Sequence, residues 1–393
     1  MQTAEAEKNS SVDRHVWSAV GSMAMCVAML IASEFMPVSL LTPIANDLGA
    51  TQGMAGQAIS ISGFFAVITS LLIATVAGRF DRRYVLMALS GLMLASLVLI
   101  AQAPSFVVLI IARALLGIAI GGFWALSTAT VMRLVPLDTV PKALGIIFTG
   151  NAMATAFAAP IGSYLGGVIG WRGVFWGLVP LAMLNILWQW ISLPAMRPQS
   201  SASVGQVFAL LKRRNVAVAM TSVMLTFAGA FCTFTYLRPF LESFTHATVP
   251  ELSLFLLGLG MAGFLGTYAA SAWANNHLYT LLRVLPLMLA VATVGLLALG
   301  HMKAGVALVM IAWGAVNAAI PVAWSTWLSK GIGDDPESGG GLFVAAIQLS
   351  IMLGAALDGL LLDHGSIAAT FIGGTVLLVL GALMVGNGSR LRP

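Results

Sequence analysis

Glu34 and Arg113 are ionisable residues inside long apolar stretches of the sequence. A charge in an apolar interior is costly unless it is paired, protonated or hydrated, so each residue is a candidate for function. Glu34 precedes the polar break at Thr42 by eight residues, and Arg113 follows the break at Ser105 by eight. At about 1.5 Å per helical residue, both lie about 12 Å deep. A carboxyl group at that depth can carry a proton under the control of a neighbouring guanidinium; the alternative is a permanent structural ion pair.

Two further residues bear on proton chemistry. Pro37 has no backbone N–H, so it removes a helical hydrogen bond to the carbonyl of Ser33 and loosens the backbone beside Glu34. Asp358 is the other acid within an apolar stretch, but it lies only about 6 Å from a polar break by helix rise. We expect it to be a secondary candidate for protonation, and simple hydration is the alternative.

Amide and aromatic side chains in the apolar stretches could bind a polar, flat solute. Amides can read the edges of such a solute, while rings stack on its face. The alternative is that the amides join helices and the rings fill the core or line the interface. The candidates are Gln57, Trp124, Asn151, Phe234, Tyr236, Asn317, Trp324 and Gln348.

Several other kinds of chemistry lack the residues that they need. The five histidines fall in or near predicted loops without metal-ligand spacing, so no metal site is expected. The sequence contains no Gly-Lys pair and therefore no phosphate-binding P-loop. No serine has a histidine and an acid plausibly placed with it. We therefore expect no enzyme activity and no ATP hydrolysis on this chain.

The elements that carry these residues are predicted to be membrane-spanning helices. Hydrophobic residues make up 59% of the chain and charged residues only 8%, far below the quarter or so of an ordinary soluble domain. Apolar runs near the roughly 20 residues needed to cross a bilayer recur along the chain, separated by short polar breaks. We count twelve such runs and predict an all-α membrane protein.

The placement of charge predicts topology and domains. Most of the 19 Lys and Arg residues fall in alternate loops and in both tails, which places both termini in the cytoplasm. The longest basic loop separates two groups of six helices, and Ser127-Thr128 recurs as Ser325-Thr326 after about 198 residues, indicating two parallel repeats. The expected divisions are a tail (1–16), a six-helix half (17–194), a cytoplasmic linker (195–215), a second half (216–386) and a tail (387–393).

Six short stretches carry a resemblance to a known family. They lie at residues 34–43, 121–125, 132–136, 170–172, 234–239 and 321–327. With Arg113 and Gly117 in the fourth run, they resemble the twelve-helix drug/proton antiporter branch of the major facilitator superfamily, and within it the bacterial exporters of purine ribonucleosides. The resemblance covers the chain from about residue 17 to residue 385. It implies two pseudo-symmetric six-helix halves with a solute site between them.

The resemblance also implies a function. It implies proton-coupled efflux of purine ribonucleosides such as inosine and guanosine, and of purine analogues, from a monomer in the bacterial inner membrane. Glu34 and Arg113 would couple the proton, and a loop with Asp81, Arg82 and Arg83 would latch the halves. The proton gradient would supply the energy, with no cofactor and no nucleic-acid partner. Export of drugs or sugars and proton-coupled uptake remain alternatives within the fold; a non-transporting receptor or a channel is the alternative from another class.

Overall fold

The apolar stretches form long α-helices in a computed structural model, which describes residues 2–77, 79–136, 139–197, 204–332 and 336–392. The helices of the described residues are α1 (Gln2–Ser39), α2 (Leu41–Leu48), α3 (Gln52–Ala77), α4 (Arg82–Gln102), α5 (Phe106–Leu134), α6 (Val140–Ser192), α7 (Val204–Ala209), α8 (Arg214–Thr235), α9 (Leu237–Ser243), α10 (Val249–Leu299), α11 (Lys303–Gly331), α12 (Pro336–His364) and α13 (Ile367–Val385).

Twelve membrane crossings follow from these helices. Eleven stretches of the described residues are long and apolar enough to span a membrane, and one of them, Ile146–Ser192, has 47 residues. That is twice the length needed for one crossing. The stretch is broken at Gly170, whose φ of 76° is a left-handed conformation that glycine adopts without steric cost. A similar break at His277 divides α10 into two crossings. The predicted all-α membrane fold is confirmed.

The first helix is longer than the sequence analysis predicted. The first apolar run was expected to follow a tail of residues 1–16, whereas α1 begins at Gln2. The tail contains no proline or glycine, and its Ala, Glu and Lys residues favour helix. Helical structure can therefore continue beyond the apolar run, because hydrophobicity marks the segment within the bilayer and does not mark the end of the helix.

Two apolar cores correspond to the two halves. The buried residues of one core lie between Ala19 and Met196. The other is dominated by residues from Leu210 to Leu391 and also takes in a few side chains from the first half. Between the halves, α3 packs along α12 and α6 along α10. The α6–α10 approach is close, since a Cβ added at Gly260 would lie 2.5 Å from the Ala156 carbonyl oxygen.

Candidate functional site

The site begins at a local break in the hydrogen bonding of α1. Pro37 lies within this helix, and its missing N–H leaves the Ser33 carbonyl without its usual helical donor. The Arg113 guanidinium takes that place, because its Nη1 donates to the Ser33 oxygen at 3.0 Å. Arg113 is therefore bound to the backbone directly beside Glu34.

Arg113 fastens three helices together. Besides the Ser33 carbonyl on α1, it donates from Nη2 to the Ser62 hydroxyl at 2.8 Å and from Nε to the Ala58 carbonyl at 3.3 Å, both on α3. Gly117, one turn further along α5, allows this reach: a Cβ there would lie 2.1 Å from the Ser62 carbonyl oxygen. The glycine thus brings α5 close enough to α3 for the buried guanidinium to be satisfied by neutral oxygens.

Glu34 is buried but is not paired with Arg113 as a salt bridge. Glu34 as a whole is only 4% exposed. Among the described residues, the ion pairs are Asp47–Arg172, Glu242–Arg238 and Glu251–Lys303. Arg113 therefore acts on Glu34 through its electric field across a short gap. The permanent ion pair considered from the sequence is not formed in this conformation.

Gln348 brings the second half of the protein to Glu34. This residue lies on α12, it is 5% exposed, and its side chain lies beside the Glu34 carboxyl group. The Gln348 carbonyl oxygen Oε1 is buried without a hydrogen-bond partner. An unpartnered buried acceptor carries a free-energy cost, which a nearby hydrogen-bond donor would relieve.

These three side chains, Glu34, Arg113 and Gln348, are called the Glu34 site below. The site can hold either protonation state of the acid. An ionised carboxylate can accept from the Gln348 amide and is attracted by the Arg113 charge, whereas a protonated carboxyl can donate to the Gln348 oxygen. A proton at Glu34 can therefore change the contact between the two halves as well as the local charge.

An aromatic cluster lies next to the Glu34 site. Phe35 of α1 contacts Phe234 of α8 edge to face, with ring centroids 5.6 Å apart, and lies 6.0 Å from Phe231. Phe234 in turn stacks on Trp313 of α11 at 6.2 Å. Trp313 is fully buried and donates to Thr293 at 3.1 Å. Phe35 and Phe231 are only partly buried, so they are the rings of this cluster that a solute can reach.

The other candidate residues fall into two groups. Tyr236 and Trp324 are fully buried. The Tyr236 hydroxyl lies at the seam between the halves, where a Cβ at Gly56 would be 1.9 Å away. The half-buried candidates are Gln57, Trp124, Asn151 and Asn317.

Gln57 and Trp124 show two different settings for half-buried candidates. Gln57 lies at the α3–α12 seam, because a Cβ at Gly359 would be 3.1 Å from its Cγ atom. The Trp124 ring packs against Phe148 with centroids 5.9 Å apart. The backbone of Asp358 belongs to α12, but its side chain lies outside the part of the chain that the structure describes.

The described contacts of Asp81 and Arg83 are made with the first half and with the segment directly after it. Asp81 accepts from the Arg83 N–H at 2.9 Å as the N-cap of α4, and from the Met196 N–H at 3.0 Å. The Arg83 guanidinium stacks on Trp190, 4.9 Å from the ring centroid. Arg82 is buried, and its N–H donates to the Met196 carbonyl at 3.0 Å. These bonds fix the start of α4 to the end of α6, and a latch between halves stays a prediction for another conformation.

Hydrogen bonds join the halves at the end of the bundle opposite the two termini, called the far end below. The Thr42 hydroxyl donates to Glu242 at 2.6 Å. Glu242 is held in turn by Arg238 at 2.8 Å, and Arg238 also donates to the Ser39 carbonyl. One acid–arginine pair of the second half is therefore bound to the end of α1 and the start of α2.

A second link at the far end uses Asp363. Its carboxylate accepts from the Thr51 hydroxyl at 2.7 Å and from the Gly53 N–H at 3.1 Å. Asp363 is near the end of α12, while Thr51 and Gly53 begin α3. Any opening of the far end has to break both of these links.

The sequence analysis missed the groups that complete the site. Ser33 and Ala58 contribute backbone carbonyls, which every residue possesses, so side-chain type gives no signal for them. Ser62 and Phe35 are ordinary residues of apolar helices. The available sign that α5 approaches another backbone closely was the spacing of Gly117 and Gly121, which lie four residues apart on one face of the helix.

Comparison with known proteins identifies the family. The model of the Major Facilitator Superfamily matches residues 23–340 of the chain. The chain belongs to this superfamily. It is therefore a membrane transporter by family and not an enzyme. A solved structure with 15% sequence identity shares the fold, with a TM-score of 0.78 over 95% of this chain and 96% of the other: a bacterial homologue of the human lysosomal transporter Spinster, in an inward-facing and occupied conformation.

Two kinds of relative cover nearly the whole chain. It is 40% identical over 390 residues to the purine ribonucleoside efflux pump NepI of Salmonella enteritidis, covering 99% of this chain and 98% of that protein. It is 47% identical over 372 residues to a protein of Pseudomonas aeruginosa named transcription regulatory protein OpdE, covering 94% and 92%. The two names describe different activities, so the relatives leave the cargo open.

Proposed function

We propose that the protein exports purine ribonucleosides such as inosine and guanosine in exchange for protons, by alternating access in the bacterial inner membrane. The observation that carries this proposal is the buried Glu34, which lies beside Gln348 of the other half and in the field of Arg113. One acid thus connects protonation to the relation between the halves. The 40% identity to the nucleoside pump supports the choice of cargo.

The coupling step follows from the two protonation states of the Glu34 site. With Glu34 ionised, the amide of Gln348 and the field of Arg113 stabilise the charge. A proton arriving from outside neutralises the carboxylate, weakens its attraction to Arg113 and permits donation to the free Gln348 oxygen. The halves then rearrange, and loss of the proton to the cytoplasm restores the first state. Arg113 stays bound by neutral groups throughout and limits loss of the proton when no solute is bound.

The flat base of a nucleoside suits the rings beside this acid. Base–aromatic stacking contributes roughly 1–3 kcal/mol per base, and Phe35 and Phe231 are partly open to a solute. Gln57 at the seam, with Asn151 and Asn317 on the other helices, would bind the ribose hydroxyls and base edges. Because these amides are only half-buried, they can exchange water for solute groups.

The charged groups at the two ends take opposite parts in the cycle. The far-end bonds of Glu242 and Asp363 would hold the protein closed to the outside while solute enters from the cytoplasm. Asp81, Arg82 and Arg83 would latch the halves on the cytoplasmic side after the rearrangement, when the far end opens. Asp358 is a secondary site for a proton.

Proteoliposomes with an imposed pH gradient test this function. An acidic lumen should drive external radiolabelled inosine inward against its concentration gradient, and a lumenal dye should report proton loss at the same time. Proton-coupled uptake would instead require acid on the outer side of the vesicle. Competition by guanosine, purine analogues, lipophilic drugs and sugars then separates the cargo alternatives.

The control variants isolate the role of Glu34. Glu34→Gln removes the titrating group and should abolish proton release and the gradient-driven accumulation of inosine. Glu251→Gln changes the same residue type in an exposed ion pair with Lys303 and should preserve them. If inosine does not move in the parent protein, the nucleoside assignment fails. If inosine moves without protons, or if its gradient-driven accumulation persists in Glu34→Gln, the coupling mechanism fails.

The Pseudomonas relative favours a second candidate, a membrane receptor that regulates transcription without net transport. Such a protein would bind its solute and change gene expression but would not accumulate the solute. Measuring transcripts in cells that carry the Glu34→Gln variant separates the two roles. Regulation that persists with no measurable flux in either form would favour the receptor, whereas accumulation against a gradient excludes it.

A further inference from the structure

A buried cluster of polar side chains lies inside the first half, between α1, α4 and α6. Its members are Cys26 of α1, Ser90 of α4, and Asn185 and Gln189 of α6, and each is at most 1% exposed. It is called the amide cluster below. The cluster is separate from the Glu34 site, because Cys26 precedes Glu34 by eight residues, about 12 Å along the helix.

A directed chain of hydrogen bonds joins three members of the amide cluster. The Ser90 hydroxyl donates to the Gln189 oxygen Oε1 at 2.8 Å. This bond uses the single hydroxyl hydrogen of Ser90. In the contact of 3.4 Å between the Cys26 Sγ and the Ser90 Oγ, the thiol is therefore the donor. The chain ends at the Gln189 oxygen, which already has its donor.

The rest of the two amide groups is left open. Among the described residues, three amide atoms of the cluster have no hydrogen-bond partner: Nε2 of Gln189, and both Nδ2 and Oδ1 of Asn185. The two residues are four apart on α6 and so share one face of the helix, and both lie beside the Cys26 thiol. A buried amide without a partner is costly, above all inside the apolar layer of a membrane. These atoms therefore point to a ligand.

The open atoms select the ligand by their chemistry, since they are two donor nitrogens and one acceptor oxygen. A cation cannot be bound by amide nitrogens, and Ser90 already occupies the Gln189 oxygen. An anion would find no opposite charge, because none of the four side chains is charged, and an uncompensated buried ion is expensive. Water can accept from both nitrogens and donate to the Asn185 oxygen, and a buried water typically makes about three hydrogen bonds.

A further polar contact leads from the amide cluster toward the end of the bundle that holds the two termini. Ser22 lies one turn before Cys26 on α1, and Ser192 lies three residues after Gln189, at the end of α6. The hydroxyl oxygens of the two serines are 3.1 Å apart. Hydrogen-bonding groups therefore continue along the seam between α1 and α6, which gives water a polar route to the cluster.

We propose that the amide cluster is a binding site for internal water, held by the Asn185 and Gln189 amides between α1, α4 and α6. The water completes the hydrogen bonds that the protein leaves open and fastens these three helices together as one unit of the first half. The site is independent of the transported solute and of the proton carried by Glu34.

Hydroxyl-radical labelling of the purified full-length protein in lipid nanodiscs tests this proposal. A brief X-ray pulse makes radicals from water, including water inside a protein, and mass spectrometry locates the oxidised residues. Cys232 is the matched control, because it is also a fully buried thiol but its described bond is to the Gly354 carbonyl. We expect Cys26 to oxidise about tenfold faster than Cys232, since a thiol reacts where the oxidant reaches it. N-ethylmaleimide, which is much larger than water, should modify neither thiol.

Two variants show whether the amides hold the water. Asn185→Leu/Gln189→Leu should lower Cys26 oxidation to the level of Cys232, whereas Gln102→Leu, which removes an exposed amide at the end of α4, should leave it unchanged. The comparison of the two thiols in the parent stands even if the double variant does not fold. Equal, slow oxidation of both thiols in the parent overturns the proposal. So does rapid modification of Cys26 by the maleimide, which would mean that the cluster is open to bulk solvent, or fast Cys26 oxidation in a folded double variant.

Discussion

Replacing Gly117 by alanine tests how the Glu34 site is assembled. The new Cβ would lie 2.1 Å from the Ser62 carbonyl oxygen and 2.8 Å from two further backbone atoms of Ser62. Ordinary carbon–oxygen contacts are about 3.3 Å or longer, so α5 and α3 must separate by roughly 1 Å. The 2.8 Å bond from Arg113 to the Ser62 hydroxyl would then exceed hydrogen-bonding distance. Overpacking of this kind costs about 1–3 kcal/mol.

The assay for Gly117→Ala is the melting temperature in detergent together with inosine flux, and both should fall. Gly91→Ala is the matched control, because Gly91 lies within α4 with open space where the Cβ would be. That change should leave the protein unaffected or raise its stability by up to about 1 kcal/mol, as alanine favours helix over glycine. Equal melting temperatures and fluxes for the two variants would refute the close α3–α5 approach as the support of Arg113.

Three further predictions concern the backbone of α1, the far end and the solute contact. Pro37→Ala supplies an N–H that competes with Arg113 for the Ser33 carbonyl. The melting temperature should therefore rise while inosine flux falls, and a higher flux would contradict this. Asp363→Asn weakens the far-end bonds. In membranes, Gln57→Cys should therefore react faster with an externally added maleimide when it is combined with Asp363→Asn than when Asp363 is kept. Phe35→Ala removes a stacking surface worth roughly 1–3 kcal/mol and should raise the KM for inosine by about tenfold, with a smaller change in the maximum rate; an unchanged KM would exclude ring stacking.

The sequence predicted the helices well because hydrophobic length is a one-dimensional property. Apolar runs of about 20 residues are sufficient to locate crossings in a bilayer, and the break at Gly170 falls in one of the polar intervals between predicted runs. The helical extension from Gln2 was missed because the tail of α1 is polar. Helix rise also placed Glu34 and Arg113 at one depth without any knowledge of packing.

The sequence did not predict how each helix is rotated about its axis or which side chains become neighbours. Depth along a helix does not say which face a side chain occupies, and Trp324 and Tyr236 prove to be fully buried although their types suit a binding site. The partners of Arg113 are two carbonyls and a hydroxyl from two other helices. Those contacts exist only once helices from distant parts of the chain have packed.

The measurement that tests the central claim most directly compares inosine exchange with gradient-driven inosine accumulation in the Glu34→Gln variant. Exchange of labelled for unlabelled inosine across proteoliposomes needs solute binding and rearrangement of the halves but no net proton movement. We predict that Glu34→Gln retains exchange and loses accumulation driven by an acidic lumen. Accumulation at the parental rate in the variant would contradict the assignment of proton coupling to Glu34.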